Sequence, residues 1–261
     1  MRPACRSLLV AGVLTAWCAL PLTAEVISYT GAASAELKKF QSDALAASDS
    51  QSKSYPTPDA ALPLQVVVRL FSEEEDSGGS VGAQFADPAT VSGDNPEEFA
   101  INLALDSIGP TVNFYAAATA EETRTVRFSS NEVGGAATGD TVILQGRLFL
   151  DGALSIFSSV GRTDLSGAYI TLHVQIVQET AGQEPVTVFE GSLTVAGDVD
   201  RGVNVTADGD LPRSQVFDAN LVALDEQLEV FRVIVLPAVT LNYEYTALVG
   251  TPLTLRAKVG V

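Results

Sequence analysis

Apolar and polar residues alternate with a period of two along much of this chain. One face of the segment 98–105 is apolar, being formed by Phe99, Ile101, Leu103 and Leu105. Successive side chains of a strand point to opposite sides of a sheet. The alternation therefore predicts a half-buried β-strand.

The same pattern recurs towards the end of the chain. The segments 170–176 and 253–259 each place apolar residues on one face and polar residues on the other, with His173 on the polar face of the first. The segments 140–150 and 230–236 are rich in apolar residues on both faces. Strands buried on both sides have this composition, so these two are predicted to be central.

Gly-containing turn signals separate the runs. Asp151 and Gly152 lie between two apolar runs and predict a tight hairpin, because a primed turn needs positive φ. Short strands without an alternating strand–helix pattern predict an all-β fold, an antiparallel β-sandwich or jelly roll. The exception is 216–228, where apolar residues at helical spacing indicate one short helix or an irregular crossover.

Residues 1–24 have the features of a secretory signal peptide. Arg2 and Arg6 precede an apolar run that ends near Ala24, which predicts cleavage after Ala24. The run is shorter than the ~20 residues of a spanning helix; an uncleaved N-terminal anchor is the alternative. We therefore expect a secreted, periplasmic or extracellular bacterial protein that does not insert into a membrane once the signal is removed.

The only two cysteines, Cys5 and Cys18, fall within this predicted signal. Lipoprotein signals place Gly or Ala directly before the acylated cysteine, and Trp17 stands there instead, so lipidation is not expected. The mature chain would have no disulfide, no thiol nucleophile and no cysteine metal ligand. Its stability must come from its core, which a chain of this length can supply.

The rest of the chain divides by composition. Residues 25–63 are polar and rich in serine and proline, which predicts a flexible leader. Residues 64–261 are predicted to form the β-sandwich domain, although two smaller sandwiches would also fit. A further hypothesis is that the leader pairs with an exposed sheet edge in a neighbouring copy, since such edges accept added strands.

Charge narrows the choice of partners. The formal net charge is −17, and a surface of this sign repels phosphate backbones and anionic lipid. We therefore expect no nucleic-acid binding. A protein or a polysaccharide at the cell surface is the expected partner.

No pattern of catalytic residues stands out. His173 is the only histidine, and no Gly-x-Ser-x-Gly motif is present, so a Ser-His-Asp hydrolase is not expected. The 32 acidic residues permit a glycosidase pair but select none. Tyr243 and Tyr245 share a predicted strand face with Leu241, which favours core packing of both rings.

Two acidic motifs are candidate calcium sites. Asp198 and Asp200 alternate along the chain, as do Asp208 and Asp210. Alternate carboxylates can converge on one hard cation, although the ligand order of an EF-hand is missing. The acidic run at 73–76 is expected to stay solvated. No other cofactor is expected.

Two segments, TDLSGA (163–168) and NYEYTALVGTPLTL (242–255), resemble exported bacterial β-sandwich proteins. These include planctomycete proteins and proteins sorted through a Pro-Glu-Pro C-terminal signal. The chain has no Pro-Glu-Pro motif, and no apolar helix or basic tail follows 242–255. The resemblance thus implies a protein that is released or held by partners, and it transfers no catalytic residues.

Together these features favour a secreted, non-catalytic β-sandwich protein with a structural, extracellular-matrix or surface-interaction role. A carbohydrate- or calcium-dependent binding module is the alternative. A two-carboxylate glycoside hydrolase is the third hypothesis.

Overall fold

The computed structural model describes residues 11–17, 24–39, 46–55, 64–72, 77–85, 98–108, 114–159, 165, 169–198, 202–211, 217–219 and 228–261. Most of these residues lie in strands, which in chain order are β1 (Ala11–Trp17), β2 (Glu25–Lys39), β3 (Ala46–Tyr55), β4 (Leu64–Ser72), β5 (Ser77–Phe85), β6 (Glu98–Ile108), β7 (Phe114–Arg127), β8 (Thr141–Ser159), β9 (Tyr169–Thr180), β10 (Val186–Gly197), β11 (Val203–Gly209), β12 (Phe217–Ala219), β13 (Leu228–Leu248) and β14 (Leu253–Gly260). A 3₁₀ turn, Ser130–Val133, follows β7.

The strands form three antiparallel sheets. The largest has seven strands in the order β11-β10-β9-β14-β7-β2-β3, and the smaller sheets have the orders β1-β6-β5-β4 and β12-β13-β8. The final strand, β14, lies inside the seven-stranded sheet and pairs with both β7 and β9. The all-β antiparallel prediction is confirmed, and the sandwich or jelly roll stays a prediction.

One side of the seven-stranded sheet, its inner face, is buried. The residues that β9 and β14 contribute to it are Leu172, Val174, Ile176, Leu253, Leu255, Ala257 and Val259, each no more than 4% exposed. Because the register sets these residues side by side across the two strands, the period-two patterns of both segments merge into one apolar surface. Both strand predictions are confirmed.

The strand β13 buries a second apolar row. Tyr243 and Tyr245 are 4% and 2% exposed, and their ring centroids are 6.1 Å apart at a tilt of 37°. Gly146 lies directly opposite Tyr243 on β8, and the tyrosine ring occupies the space that a Cβ at this glycine would need. The prediction that both rings pack in the core is confirmed.

Gln178 on β9 joins two of the sheets. Its Nε2 donates to the backbone carbonyl of Thr246 on β13 at 2.8 Å, and its Oε1 accepts from the backbone N–H of the same residue at 3.0 Å. The side-chain amide thus pairs with the edge of β13 as a neighbouring strand would. Gln178 is only 6% exposed, whereas Thr246 is exposed, so this contact between the two sheets is part-buried.

The prediction of a flexible leader is wrong for the two segments of 25–63 that the structure describes. Strand β2 pairs with β7, and β3 pairs with β2. Gly31 and Ala33 of β2 are buried on the inner face. Small residues at alternate positions make a strand that packs closely, although their composition resembles that of a linker. Residues 40–45 and 56–63 lie outside the described part of the chain.

The hairpin predicted at Asp151 and Gly152 is also wrong. Strand β8 continues through both residues and pairs with β13 on either side, with a register shift between Leu236 and Val239. The glycine lies beside this irregularity of the ladder, a common position for glycine within strands.

Two further predictions concern segments that the structure describes only in part. Of the segment 216–228, Phe217–Ala219 forms strand β12, which pairs with β13; residues 220–227 lie outside the described residues. Within the predicted signal, β1 pairs with β6, and cleavage after Ala24 stays a prediction.

Candidate functional site

The side of the seven-stranded sheet opposite the core is polar. On β9, β10 and β11 it forms a surface that we call the outer patch, defined by Tyr169, Thr171, His173, Gln175, Glu190, Ser192, Thr194, Thr206 and Asp208. On β9 and β10 these residues alternate with buried ones, and each residue of the patch is half-buried or exposed. The patch therefore follows from the period-two pattern that also builds the core.

Cross-strand register arranges the patch in rows. Thr171, Thr194 and Thr206 lie directly opposite one another, and the hydroxyls of Thr171 and Thr194 are 3.0 Å apart. Neighbouring strands are about 4.8 Å apart. This row consequently presents hydroxyl groups at regular intervals across three strands.

His173 lies in the next row, opposite Ser192. Its Nε2 is 3.3 Å from Oε1 of Glu190, to which the amide of Gln175 also donates at 3.5 Å. The side chains of His173 and Glu190 are 43% and 54% exposed. The prediction of a half-exposed strand histidine is confirmed, and the histidine–carboxylate contact is in reach of solvent.

Tyr169 begins β9 on the same side as Thr171 and His173. It is 65% exposed and lies opposite Ala196, a small residue, on β10. An aromatic ring normally gains from burial. Its exposure beside rows of hydrogen-bonding groups gives the outer patch an apolar surface on which a ligand can stack.

The sequence-predicted aspartates lie at the two ends of the β10–β11 hairpin. Asp198 follows β10, and its Oδ1 accepts from the backbone N–H of Gly202 at 2.7 Å. Asp208 and Asp210 are at the far end of β11, which is about 20 Å away at 3.3 Å per residue. The structure thus keeps Asp198 apart from Asp208 and Asp210. Asp200 lies outside the described residues.

Asp208 and Asp210 both accept hydrogen bonds from the backbone. Asp208 Oδ1 accepts from the N–H of Gly209 at 2.9 Å, and Asp210 Oδ2 accepts from the N–H of Glu190 at 2.9 Å. In the described part of the chain, no three His, Cys, Asp or Glu side chains are grouped closely enough to hold a metal ion. Calcium binding stays a prediction, and the run 73–76 falls outside the described residues.

A buried ion pair on β7 was missed by the sequence reasoning. Arg124 Nε donates to Oε1 of Glu122 at 2.5 Å, and the two side chains are 2% and 0% exposed. Both belong to the inner face, in line with Val126 and Phe128, which are fully buried. This continuation of the period-two pattern is the signal that predicts their burial. Buried opposite charges are tolerated when they pair.

No family model matches this chain, and no curated protein or solved structure shows significant similarity to it.

Among the residues that the structure describes, none belongs to a helix of the length and hydrophobicity needed to cross a membrane.

Proposed function

We propose that this chain is an exported, non-catalytic surface-interaction protein that contacts its partner through the outer patch. The observation that carries the proposal is the combination, on one sheet face, of the exposed ring of Tyr169 with rows of hydroxyl, amide and charged groups. A tyrosine ring exposed beside hydrogen-bonding groups offers a ligand an apolar contact and polar partners at the same place.

The position of its polar groups argues for binding rather than catalysis. A serine nucleophile needs a base that takes its proton and donors that stabilise the oxyanion, in a site that excludes water. Ser192 and His173 are opposite each other and His173 Nε2 is 3.3 Å from Glu190, but all three lie on an open sheet face that does not exclude water. Groups so exposed are well placed to exchange hydrogen bonds with a ligand.

Retention at a bacterial cell surface tests this proposal. The full chain and its Thr194→Lys variant are expressed in a Gram-negative host, and the protein in the envelope and in the medium is quantified. We expect export of both proteins and weaker envelope retention of the variant. Gln183→Lys, in the exposed β9–β10 turn, is the matched control and should behave as wild type.

Two results would overturn the proposal. One is equal retention of all three proteins. The other is hydrolysis of p-nitrophenyl acetate by the purified protein that disappears in both Ser192→Ala and His173→Ala, since that would make the patch an esterase site.

Carbohydrate binding is the second candidate function, and Tyr169 is the residue that favours it. Sugar rings stack on aromatic faces while their hydroxyls bond to polar neighbours, here Thr171 and Thr194. A glycan array identifies the ligand, and calorimetry then compares Tyr169→Ala with Ile143→Ala, a control whose residue is 69% exposed on another sheet. We expect about tenfold weaker binding for the first variant alone, taking the low end of the about 1–3 kcal/mol that stacking on an aromatic side chain contributes per nucleic-acid base.

Calcium dependence of this binding is tested by a separate calorimetric titration. Titration of the metal-free protein with CaCl₂ should release heat that is lost in Asp208→Asn if the Asp208–Asp210 turn holds the ion. Absence of heat in the wild-type protein would remove calcium from the hypothesis.

A further inference from the structure

Strand β11, which carries part of the outer patch, ends the seven-stranded sheet. Among the strands that the structure describes it is hydrogen-bonded to β10 alone, and each residue of Val203–Gly209 is half-buried or exposed. Its pairing with β10 has no register shift, and its sequence contains no lysine, arginine or proline. Natural sheet edges are commonly protected from further pairing by lysine, proline or bulges. Within the described part of the chain, this edge is therefore open to another strand.

The β10–β11 ladder shows which backbone groups of β11 point to the open edge. Asp210 N–H donates to the carbonyl of Glu190 at 2.8 Å, so these two residues occupy a hydrogen-bonded position of the ladder. Hydrogen-bonded and non-hydrogen-bonded pairs alternate in an antiparallel ladder. The N–H and C=O of Thr206 consequently point towards β10. Those of Val205 and Ala207 point away from β10, to the open edge.

Strand β11 can pair with a second copy of itself about Thr206, the midpoint of Val203–Gly209. Among antiparallel registers with a two-fold axis, this one pairs the whole strand. It sets Val205 opposite Ala207 of the second copy, and both of these residues have outward N–H and C=O groups that can exchange hydrogen bonds. An axis at any other residue leaves one end of the strand without a partner, so the full-length ladder selects Thr206.

The inner face of β11 favours this pairing because its apolar row stays partly exposed. Leu193 and Val195 of β10 are 1% and 0% exposed. Their neighbours on β11, Ala207 and Val205, are only half-buried. In the dimer, Val205 of each copy lies beside Ala207 of the other, so both side chains lose part of their remaining exposure. Burial of apolar surface is favourable.

The outer face of β11 matches itself through threonine. Thr206 faces Thr206 of the second copy at a non-hydrogen-bonded pair, where the side chains are closest. Thr171 and Thr194 form a pair of the same type inside the sheet, and their hydroxyls are 3.0 Å apart. Cross-strand threonine pairs of this kind are favourable. The threonine row of one outer patch thus continues into the row of the second copy.

The one charged residue of β11, Asp208, falls opposite Asn204 of the second copy. Asn204 is exposed on the same face. Asp208 Oδ1 accepts from the N–H of Gly209 at 2.9 Å, which leaves Oδ2 for the Asn204 amide. The symmetry repeats this pair and keeps the two aspartates apart, on either side of the axis. The register therefore introduces no like-charge pair on β11.

We infer that two copies of this chain associate by antiparallel pairing of their β11 strands about Thr206, which joins the two seven-stranded sheets into one. The two-fold axis is perpendicular to the sheet, so the two outer patches become one continuous surface. A contact along one strand is smaller than a standard interface, so the dimer forms reversibly. The inference goes beyond the proposed function, and its test does not require a ligand.

Substitutions of Asn204 test the pairing directly. The full chain and its variants are measured by sedimentation velocity over a range of concentrations, with circular dichroism as the check of folding. We expect a concentration-dependent dimer for the wild type. Asn204→Asp should raise the dissociation constant about tenfold, because it sets aspartate against Asp208 twice, and Asn204→Lys should lower it by a similar factor.

The matched controls are Gln183→Glu and Gln183→Lys, in the exposed β9–β10 turn. They change the net charge of the chain by the same amounts but lie away from β11. Both should dimerise as the wild type does.

Mixing two variants gives the decisive measurement. In a heterodimer of Asn204→Asp with Asp208→Lys, the introduced aspartate faces the introduced lysine, and the second pair is that of the wild type. An equimolar mixture should therefore dimerise more tightly than Asn204→Asp alone. The double variant Asn204→Asp/Asp208→Lys should likewise dimerise by itself.

Three outcomes would overturn the inference. These are a wild type that stays monomeric at about 100 μM, which would mean that the edge does not pair with itself; a dimer that the Asn204 variants change no more than the controls do; and a mixture no tighter than Asn204→Asp alone. None depends on whether the outer patch binds anything, so failure here is distinguishable from failure of the proposed function.

Discussion

Replacing Gln178 with leucine removes the amide that joins β9 to the edge of β13 while nearly preserving side-chain volume. In the native protein this amide bonds to both the N–H and the C=O of Thr246. Leucine can bond to neither. The variant therefore measures how much a single side chain contributes to the contact between two sheets.

The expected loss follows from those two backbone groups. A buried polar group left without a partner costs about 1–3 kcal/mol. Both bonds to Thr246 are only part-buried, so the low end of that range applies to each. The free energy of unfolding should fall by about 2 kcal/mol, a large share of the 5–15 kcal/mol that typical domains possess.

Urea denaturation gives the measurement. The only tryptophan, Trp17, lies in the predicted signal, so far-ultraviolet circular dichroism and tyrosine fluorescence are used to follow unfolding of the mature chain. Gln175→Leu is the matched control, since Gln175 lies on the same strand but is half-exposed on the opposite face. We expect the control to lose less than about 0.5 kcal/mol, as surface substitutions usually do.

Substitution of Gln178 by glutamate adds a dependence on pH. Burial and the nearby Thr246 carbonyl raise the pKa of the introduced carboxyl above its unfolded value. The native state then binds the proton more tightly than the unfolded chain, so stability of this variant should increase as pH falls from 7 towards 5. Equal losses for Gln178→Leu and Gln175→Leu, together with a glutamate variant that does not respond to pH, would refute the reasoning.

Three further substitutions or truncations probe the core. Gly146→Ala should cost about 1–3 kcal/mol because the new methyl overlaps the Tyr243 ring, and this cost should shrink in a Tyr243→Leu background; equal costs in both would contradict the contact. Arg124→Met should lower the free energy of unfolding by about 3 kcal/mol because it removes the buried positive charge that pairs with Glu122, whereas Glu122→Leu/Arg124→Met should lower it by less in the same urea assay. Deletion of 252–261 removes a strand paired on both sides, so circular dichroism should show an unfolded chain; a folded product would contradict the topology.

Local alternation predicted individual strands well. The segments 170–176 and 253–259 have polar and apolar faces that the structure exposes and buries as expected, because side-chain direction in a strand is fixed by a two-residue period. Composition was a weaker guide. The serine-rich β3 resembles a linker in sequence, yet it forms a strand because it pairs with β2.

The candidate site was predictable only in parts. The exposure of His173 follows from its place in an alternating strand, but its approach to Glu190 depends on how β9 and β10 pair. The alternate aspartates are visible in sequence. The separation of Asp198 from Asp208 and Asp210 depends on where β11 begins and ends.

By itself, the sequence determined an acidic, all-β chain and the buried face of its regular strands. It also predicts a core without disulfides, because both cysteines lie in the predicted signal. Tertiary structure alone decided that the last strand lies inside the largest sheet, that Glu122 is buried beside Ala257 and that Gln178 bonds to Thr246. The physical reason is that alternation acts over two residues, whereas strand pairing and sheet contacts join residues far apart in the chain. No local pattern determines the register of such distant strands.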